Sequence, residues 1–263
     1  KIGFIGCGNM ATAMLKGILK SGEVEASDMI ASAKSDKTRE KIEKELGIRK
    51  ADNNAQVVDF ADVVFLAVKP QFLEGVLDEI RGSVKAGQIF ISIAPGKTLQ
   101  WLGERLGENT KVIRTMPNTP AMVGEGMTAL CVNELVTEEE TALAVKLCDT
   151  FGKTEVIPEH LMDAVVGVSG SSPAYVFMFL EAMADAAVAD GMPRAQAYKF
   201  AAQSVLGSAK LMQETGKHPG ELKDMVCSPA GTTIQAVRVL EEKGFRSAVI
   251  EAQTECVKKA KGM

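Results

Sequence analysis

The chain has 263 residues, 46% hydrophobic and 24% charged, the composition of a globular protein with room for one large or two ordinary domains. A formal net charge of -4 lacks the basic excess that a nucleic-acid surface needs, so no nucleic-acid partner is expected. No apolar run reaches the roughly 18 residues of a spanning helix and the first residues do not resemble a signal peptide, so no membrane partner is expected.

From Lys1 to about Pro158 short apolar runs alternate with amphipathic stretches. Lys1 already lies inside a strand pattern, which suggests that an initiator methionine has been lost. Strands are predicted at "KIGFIG", "MIAS", "VVFLAV", "QIFISI" and "KVIRTM", with "IRKA" weaker. Runs this short and unalternating suit strands buried on both faces, as in a parallel sheet covered by helices. Helices are predicted over 10–20, 36–46, 72–80 and 98–106. The repeated strand-helix unit predicts an α/β, Rossmann-type doubly wound sheet for residues 1–158. "GMTALCV" adds a strand, and 137–151 a helix with Thr137 as cap and Glu140 completing a capping box.

Beyond Pro158 the pattern turns helical, over 161–168, 173–190, 194–213, 231–242 and 245–261. An all-α C-terminal domain, 159–263, is expected after a short hinge near 158–162. The 173–190 helix carries an apolar stripe through Val176, Leu180 and Met183, and Met178, Phe179 and Ala182 make its other side apolar too. Such a helix must be covered on most sides, either by a second subunit in a homodimer or by its own domain. The dimer is the favoured reading.

The five cysteines, Cys7, Cys131, Cys148, Cys227 and Cys256, are odd in number and form no Cys-x-x-Cys pair. With only His160 and His218 beside them, they suit reduced cytoplasmic thiols and not a metal site or a disulfide framework.

"GFIGCGNMATAM" sets Gly6, Gly8 and Ala11 in a G-x-G-x-x-A spacing between the first strand and a helix. Gly6 allows the tight turn, Gly8 a close pyrophosphate, and Ala11 close helix-strand packing, while the helix N-terminus offers amides to phosphate. A glycine turn serving packing alone is the plainer alternative. An NAD site usually has an acid at the end of the second strand, but Asp28 precedes that strand. Ser32, Ala33, Lys34 and Ser35, then Lys37 and Arg39, stand at its end. Hydroxyls and cations suit a 2′-phosphate, which favours NADPH over NADH; Arg39 also fits a solvated helix start. "AVKP" and "SIAPG" end the fourth and fifth strands where ligands of such sheets sit, which makes Lys69 a candidate contact.

"VSGSSPAYVF" makes Ser172 a predicted N-cap and Pro173 the first helical residue. "VCSPAGTTIQAV" repeats the arrangement, with Ser228-Pro229 and Gly231-Thr232-Thr233 leading into a helix. A helix N-terminus lined by small side chains is an anion cup sized for a carboxylate, or simply a capped helix.

Taken in order, "GFIGCGNM", "FLAVKPQ", "IRTMPNTP", "GVSGSSPAYVF", "HPGELKDMVCSPAGTTIQAV" and "GFRSAVIEA" resemble the pyrroline-5-carboxylate reductase family across the whole chain. The resemblance implies a Rossmann domain and a helical domain that intertwines two subunits, in a dimer or a ring of dimers. It implies reduction of 1-pyrroline-5-carboxylate to L-proline with NAD(P)H. Coenzyme contacts are implied at Gly6, Cys7, Gly8, Asn9 and Met10, at Ser32 with its neighbour Lys34, and at Asn54. They are also implied at Ala67, Val68, Lys69 and Pro70, and at Ala94 and Pro95. The resemblance places the substrate carboxylate on the amides around Ser228, Gly231, Thr232 and Thr233, and makes Thr233 the group that hydrogen-bonds the ring nitrogen and supplies its proton.

Three residues depart from the family pattern: Ser172 and Ala230 stand where glycine is common, and Pro95 where alanine is. Ala230 resists positive φ, and Pro95 removes a backbone donor. A β-hydroxyacid dehydrogenase shares the layout, but that chemistry wants a lysine on the first long helix, and 173–190 has none before Lys199. A non-catalytic NADP(H)-sensing protein is the rival of another class.

Overall fold

The computed structural model describes residues 1–262. They form two compact units: Lys1–Gly170 together with the stretch from Val257, and Ser171–Cys256.

The first unit begins with β1 (Ile2–Ile5), α1 (Asn9–Ser21), β2 (Met29–Ser32) and α2 (Asp36–Leu46). Next come β3 (Arg49–Lys50), α3 (Asn54–Phe60), β4 (Val63–Leu66), α4 (Pro70–Ile80), β5 (Ile89–Ser92), α5 (Leu99–Leu106) and β6 (Lys111–Met116). β7 (Gly126–Val132), α6 (Glu138–Asp149), β8 (Gly152–Val156) and α7 (Met162–Val165) complete it. The eight strands make one sheet in the order β3-β2-β1-β4-β5-β6-β7-β8. Strand order reverses direction at β1, which lies between β2 and β4, so the carboxyl ends of β1 and β4 frame the switch point.

Alternate residues of each strand feed opposite cores, which is why the apolar runs show no polar face. Phe4, Phe65, Ile91 and Ile113 pack under Met14, Leu15 and Ile18 of α1 and Leu147 of α6. Ile5, Val64, Leu66 and Phe90 pack under Val57 of α3, Leu73 and Leu77 of α4, and Leu102 of α5. Phe4 and Phe65 stack with centroids 4.5 Å apart. The Rossmann-type doubly wound sheet is therefore the observed fold of this unit.

β7 runs antiparallel to β6. The link from Met116 to Gly126 holds only a short 3-10 turn, Thr119–Val123, too short for the crossover a parallel strand requires. Thr137 accepts from the Glu140 amide and Glu140 reaches back to the Thr137 amide, so the predicted capping box is present.

The region from 158 to 162 is tied down within the first unit. Glu159 Oε1 accepts from the Leu99 amide at 2.8 Å and from buried Arg114 at 3.0 Å.

The second unit holds α8 (Ser172–Ala189), α9 (Arg194–Thr215), α10 (Pro219–Val226) and α11 (Thr232–Glu242). It also holds most of α12 (Phe245–Lys261). Its buried hydrophobic residues are Ala184, Ala197 and Ala201, whereas Phe177, Met178, Phe200 and Met225 are exposed.

One expectation is corrected here. Ser172 is not the N-cap of α8: that place falls to Ser171, which has helical φ −101° and ψ −23° and makes no capping hydrogen bond. A π-helical turn over Val166–Gly170 delivers the chain already coiled, so no extended cap residue is needed. The helical run Glu159–Ala189 is, by length and composition alone, long and apolar enough to cross a membrane, with a mean hydropathy of 1.2 over its apolar window.

Candidate active site

In the first unit the loops after β2, β1, β4 and β5 lie side by side along the sheet's rim. The Gly6 amide donates to the Ser32 carbonyl at 3.1 Å, the Ala67 amide to Ile5 at 2.9 Å, and the Ile93 amide to Leu66 at 3.3 Å. These bonds carry the ladder one residue past the strands and bring together Gly6, Ser32 and Ala67.

Gly6 has φ +96°, and a Cβ there would stand 2.6 Å from the Ala67 carbonyl oxygen. Only glycine satisfies both the backbone and the space. Gly8 is the N-cap of α1, and a Cβ on it would meet nothing within 4 Å. No side chain caps α1 and no acid lies in its first turn. The amides of Asn9 and Met10 thus begin an uncapped helix that opens on clear space, a cradle for phosphate.

A cavity of about 420 Å³ follows at the end of β2. Of the expected coenzyme residues it gathers Gly6, Ser32, Lys34, Asn54 and Val68. Ser32 Oγ donates to Asn54 Oδ1 at 2.6 Å, and Lys34 Nζ lies 5.4 Å from the centre of the Phe72 ring. Arg39 lines the same wall while pairing with Asp36.

Cys7, Ala67, Lys69, Pro70, Ala94 and Pro95 do not line this cavity. Cys7 and Ala94 are buried, Lys69 is the exposed N-cap of α4, and Pro70 opens that helix. They belong to the rim beyond β1, β4 and β5, where a nicotinamide half of a dinucleotide would extend from the cradle. The residues present fit such a group.

Sequence reasoning missed Asp52, Asn53, Val76 and Glu79, which also line the cavity. Glu79 was findable as an acid on the helix after "AVKP", but nothing in its spacing said it faced β2.

The second unit holds the other candidate site. α10 ends at Val226 with Cys227 as its C-cap, and Ser228–Gly231 form a turn in which the Gly231 amide donates to the Ser228 carbonyl at 3.0 Å. Gly231 is the N-cap of α11, with φ −74° and ψ 171°, and offers no side chain to the helix start. Thr232 and Thr233 are its first two residues, and no acid lies in the first turn. The structure therefore brings Ser228, Gly231, Thr232 and Thr233 together around uncapped main-chain amides. Ala230 stands in the turn with φ +56°, so this alanine occupies the left-handed conformation that its side chain disfavours. Nearby, the Asp224 carboxylate holds the Lys223 ammonium above its ordinary range by a hydrogen bond.

A family model described as pyrroline-5-carboxylate reductase dimerisation matches residues 159–263, and one described as NADP oxidoreductase, coenzyme F420-dependent, matches 1–96. The pyrroline-5-carboxylate reductase of Escherichia coli K12 is 56% identical over 260 residues, covering 99% of this chain and 97% of that protein. Its counterpart in Arabidopsis thaliana is 39% identical over 261 residues, 99% and 94% of the two chains. Among solved structures, the Coxiella burnetii pyrroline-5-carboxylate reductase superposes with a TM-score of 0.93 at 33% identity, over 99% and 97% of the chains. The Plasmodium falciparum pyrroline carboxylate reductase, solved with NADP bound, gives 0.89 at 28% identity, over 100% and 97%. The chain belongs to the pyrroline-5-carboxylate reductase family.

Proposed function

We propose that this chain reduces 1-pyrroline-5-carboxylate to L-proline with NADPH, or with NADH, as the last step of proline biosynthesis. The observation that carries the reading is the pairing of two built features in one chain. One is a glycine cradle and cavity at the switch point, the other an uncapped helix start lined by small residues.

The coenzyme supplies the hydride when bound. Gly6, Cys7, Gly8, Asn9 and Met10 hold its pyrophosphate, Ser32, Lys34 and Asn54 its adenosine end, and Ala67, Val68, Lys69, Pro70, Ala94 and Pro95 its nicotinamide side. The amides around Ser228, Gly231 and Thr232 bind the substrate carboxylate, which fixes the ring. Once the ring carbon has been reduced, the new amine nitrogen accepts from Thr233 Oγ1, which passes it a proton and is resupplied from water, so the product leaves as a secondary ammonium. No strong acid is needed, because a protonated imine is already electrophilic. Positioning two rings at reacting distance contributes about 7–11 kcal/mol in favourable cases.

Residues 1–158 act as the coenzyme domain and 159–263 as the substrate and dimerisation domain. A second copy covers the exposed apolar side of α8, giving a homodimer or a ring of dimers. Three alanines are too little buried surface to hold the helices of the second unit alone, and a second copy supplies what is missing. Glu181 and Asp185 on that helix suit a protein partner better than lipid, so no membrane role is assigned. An odd number of cysteines with no Cys-x-x-Cys pair suits the reducing cytoplasm.

The test is loss of nicotinamide absorbance on mixing the protein, NADPH and pyrroline-5-carboxylate, run beside a four-carbon hydroxyacid with NADP. Turnover of the cyclic imine alone is expected. Turnover of the hydroxyacid favours a β-hydroxyacid dehydrogenase, and coenzyme binding with neither turnover favours a sensor.

A further inference from the structure

Glu79 lies on α4 and lines the cavity at the end of β2. Its carboxylate holds one residue at two points. Oε2 accepts from Asn54 Nδ2 at 2.7 Å, and Oε1 from the Asn54 amide at 3.3 Å. Asn54 is the first residue of α3, so its amide has no carbonyl partner within the helix and the Glu79 carboxylate takes it.

The consequence is a fixed amide orientation. With Nδ2 committed to Glu79, Asn54 turns Oδ1 toward Ser32, whose hydroxyl donates to it at 2.6 Å. The Ser32 proton is thereby engaged, and its oxygen retains lone pairs. Such an oxygen accepts from a hydroxyl and does not donate to a phosphate.

We propose that Glu79 is a positioning residue of the coenzyme site. It acts through Asn54 to hold Ser32 as the acceptor for a ribose hydroxyl of the adenosine half, and a 2′-phosphate falls to Lys34 and Arg39. The inference rests on the coenzyme reading above. It differs from recognition of the 2′-phosphate by serine, because both NADPH and NADH carry a ribose hydroxyl. Loss of Glu79 therefore weakens both coenzymes alike, and loss of Lys34 with Arg39 weakens NADPH selectively.

Calorimetric titration of NADPH and NADH into the whole protein tests this, with thermal unfolding of each variant alongside. Glu79→Ala is expected to raise Kd for both coenzymes by about tenfold, as for loss of one charge-assisted hydrogen bond behind a contact. Glu79→Gln keeps a carbonyl for Asn54 Nδ2 and gives up only the longer bond from the Asn54 amide, so its Kd lies between those of the parent and Glu79→Ala. On an Asn54→Ala background, Glu79→Ala adds nothing further, since its effect passes through Asn54. In turnover, Glu79→Ala raises KM for the coenzyme and leaves kcat in place.

Four results overturn the proposal: Glu79→Ala binding as the parent does, Glu79→Gln as weak as Glu79→Ala, further loss on the Asn54→Ala background, or weakened NADPH with NADH unchanged. If the parent protein binds neither coenzyme, the coenzyme reading itself fails and takes this inference with it, a result the first titration separates from the rest.

Discussion

The Gly231 amide donates to the Ser228 carbonyl at 3.0 Å, and the turn it closes holds Ala230 at φ +56°. Pro229 precedes Ala230, and positive φ at the third position with a closing hydrogen bond defines a type II turn, whose third residue is ordinarily glycine. Ala230 is the one non-glycine residue with positive φ among the described residues. The left-handed conformation costs a non-glycine residue about 1–2 kcal/mol, partly offset by the greater freedom glycine gives the unfolded chain. Ala230→Gly is therefore expected to stabilise the protein by about 0.5–1 kcal/mol, read as a higher denaturation midpoint at unchanged slope. A lower midpoint contradicts the turn.

Thr233 stands in the first turn of α11, and its assigned work is proton donation to the ring nitrogen. Thr233→Ala is expected to lower kcat by about 100-fold, the lower range for a positioned proton donor, and to leave the NADPH Kd unchanged. Thr233→Ser restores most of the rate by returning the hydroxyl. Small, equal losses in kcat and coenzyme affinity remove Thr233 from the reaction.

Most of the sheet was legible because buried parallel strands need nearly continuous apolar runs. "MIAS", "KVIRTM" and "GMTALCV" coincide with β2, β6 and β7 to the residue. β8 was not, since Gly152–Val156 is polar and largely exposed at the sheet's edge, where burial imposes no pattern. α3 is only seven residues long, too short for a helical period to declare itself, and it buries just Val57 and Val58. α10 starts at Pro219 amid residues that read as a loop. In the site, glycine spacing revealed the cradle because conformation demands it. The Glu79–Asn54–Ser32 chain joins residues 22 and 25 positions apart, and only tertiary packing sets it.

Gly6 is where the cradle tolerates least. A methyl at φ +96° would be strained and 2.6 Å from the Ala67 carbonyl oxygen, a backbone atom that cannot swing aside. Gly6→Ala is expected to destabilise the first unit by about 2–4 kcal/mol, the sum of strain and overpacking, and to abolish measurable NADPH binding. Gly8→Ala meets no atom within 4 Å, so it keeps stability and weakens the coenzyme alone. Calorimetry and thermal unfolding of the two variants separate these outcomes. Equal stability of both contradicts the close approach of β1 and β4.

Phe177 and Met178 are 65% and 70% exposed on the apolar side of α8. If a second copy covers that side, Phe177→Asp buries a charge in the interface. The variant is expected to give a lower mass than the parent in light scattering and a lower unfolding temperature. Equal masses at micromolar concentration place the subunit contact elsewhere.

Cys131 and Cys148 link core packing to alkaline stability. Burial pushes both thiols up to about 12, with the nearby Glu159 adding to Cys131 and Asp149 to Cys148. A thiol raised in the folded state favours folding fully below its ordinary value, near 9. Above that, the unfolded chain releases the proton first, so stability falls as pH climbs from about 9 toward 12. Both residues should resist a thiolate-directed alkylating agent at mildly alkaline pH in the folded protein and react once denaturant is added. Cys148→Ala removes one such thiol and should flatten the alkaline decline in stability, at the cost of a small cavity. Rapid labelling of Cys148 in the native protein, by peptide mass mapping, shows instead that α6 opens from the sheet.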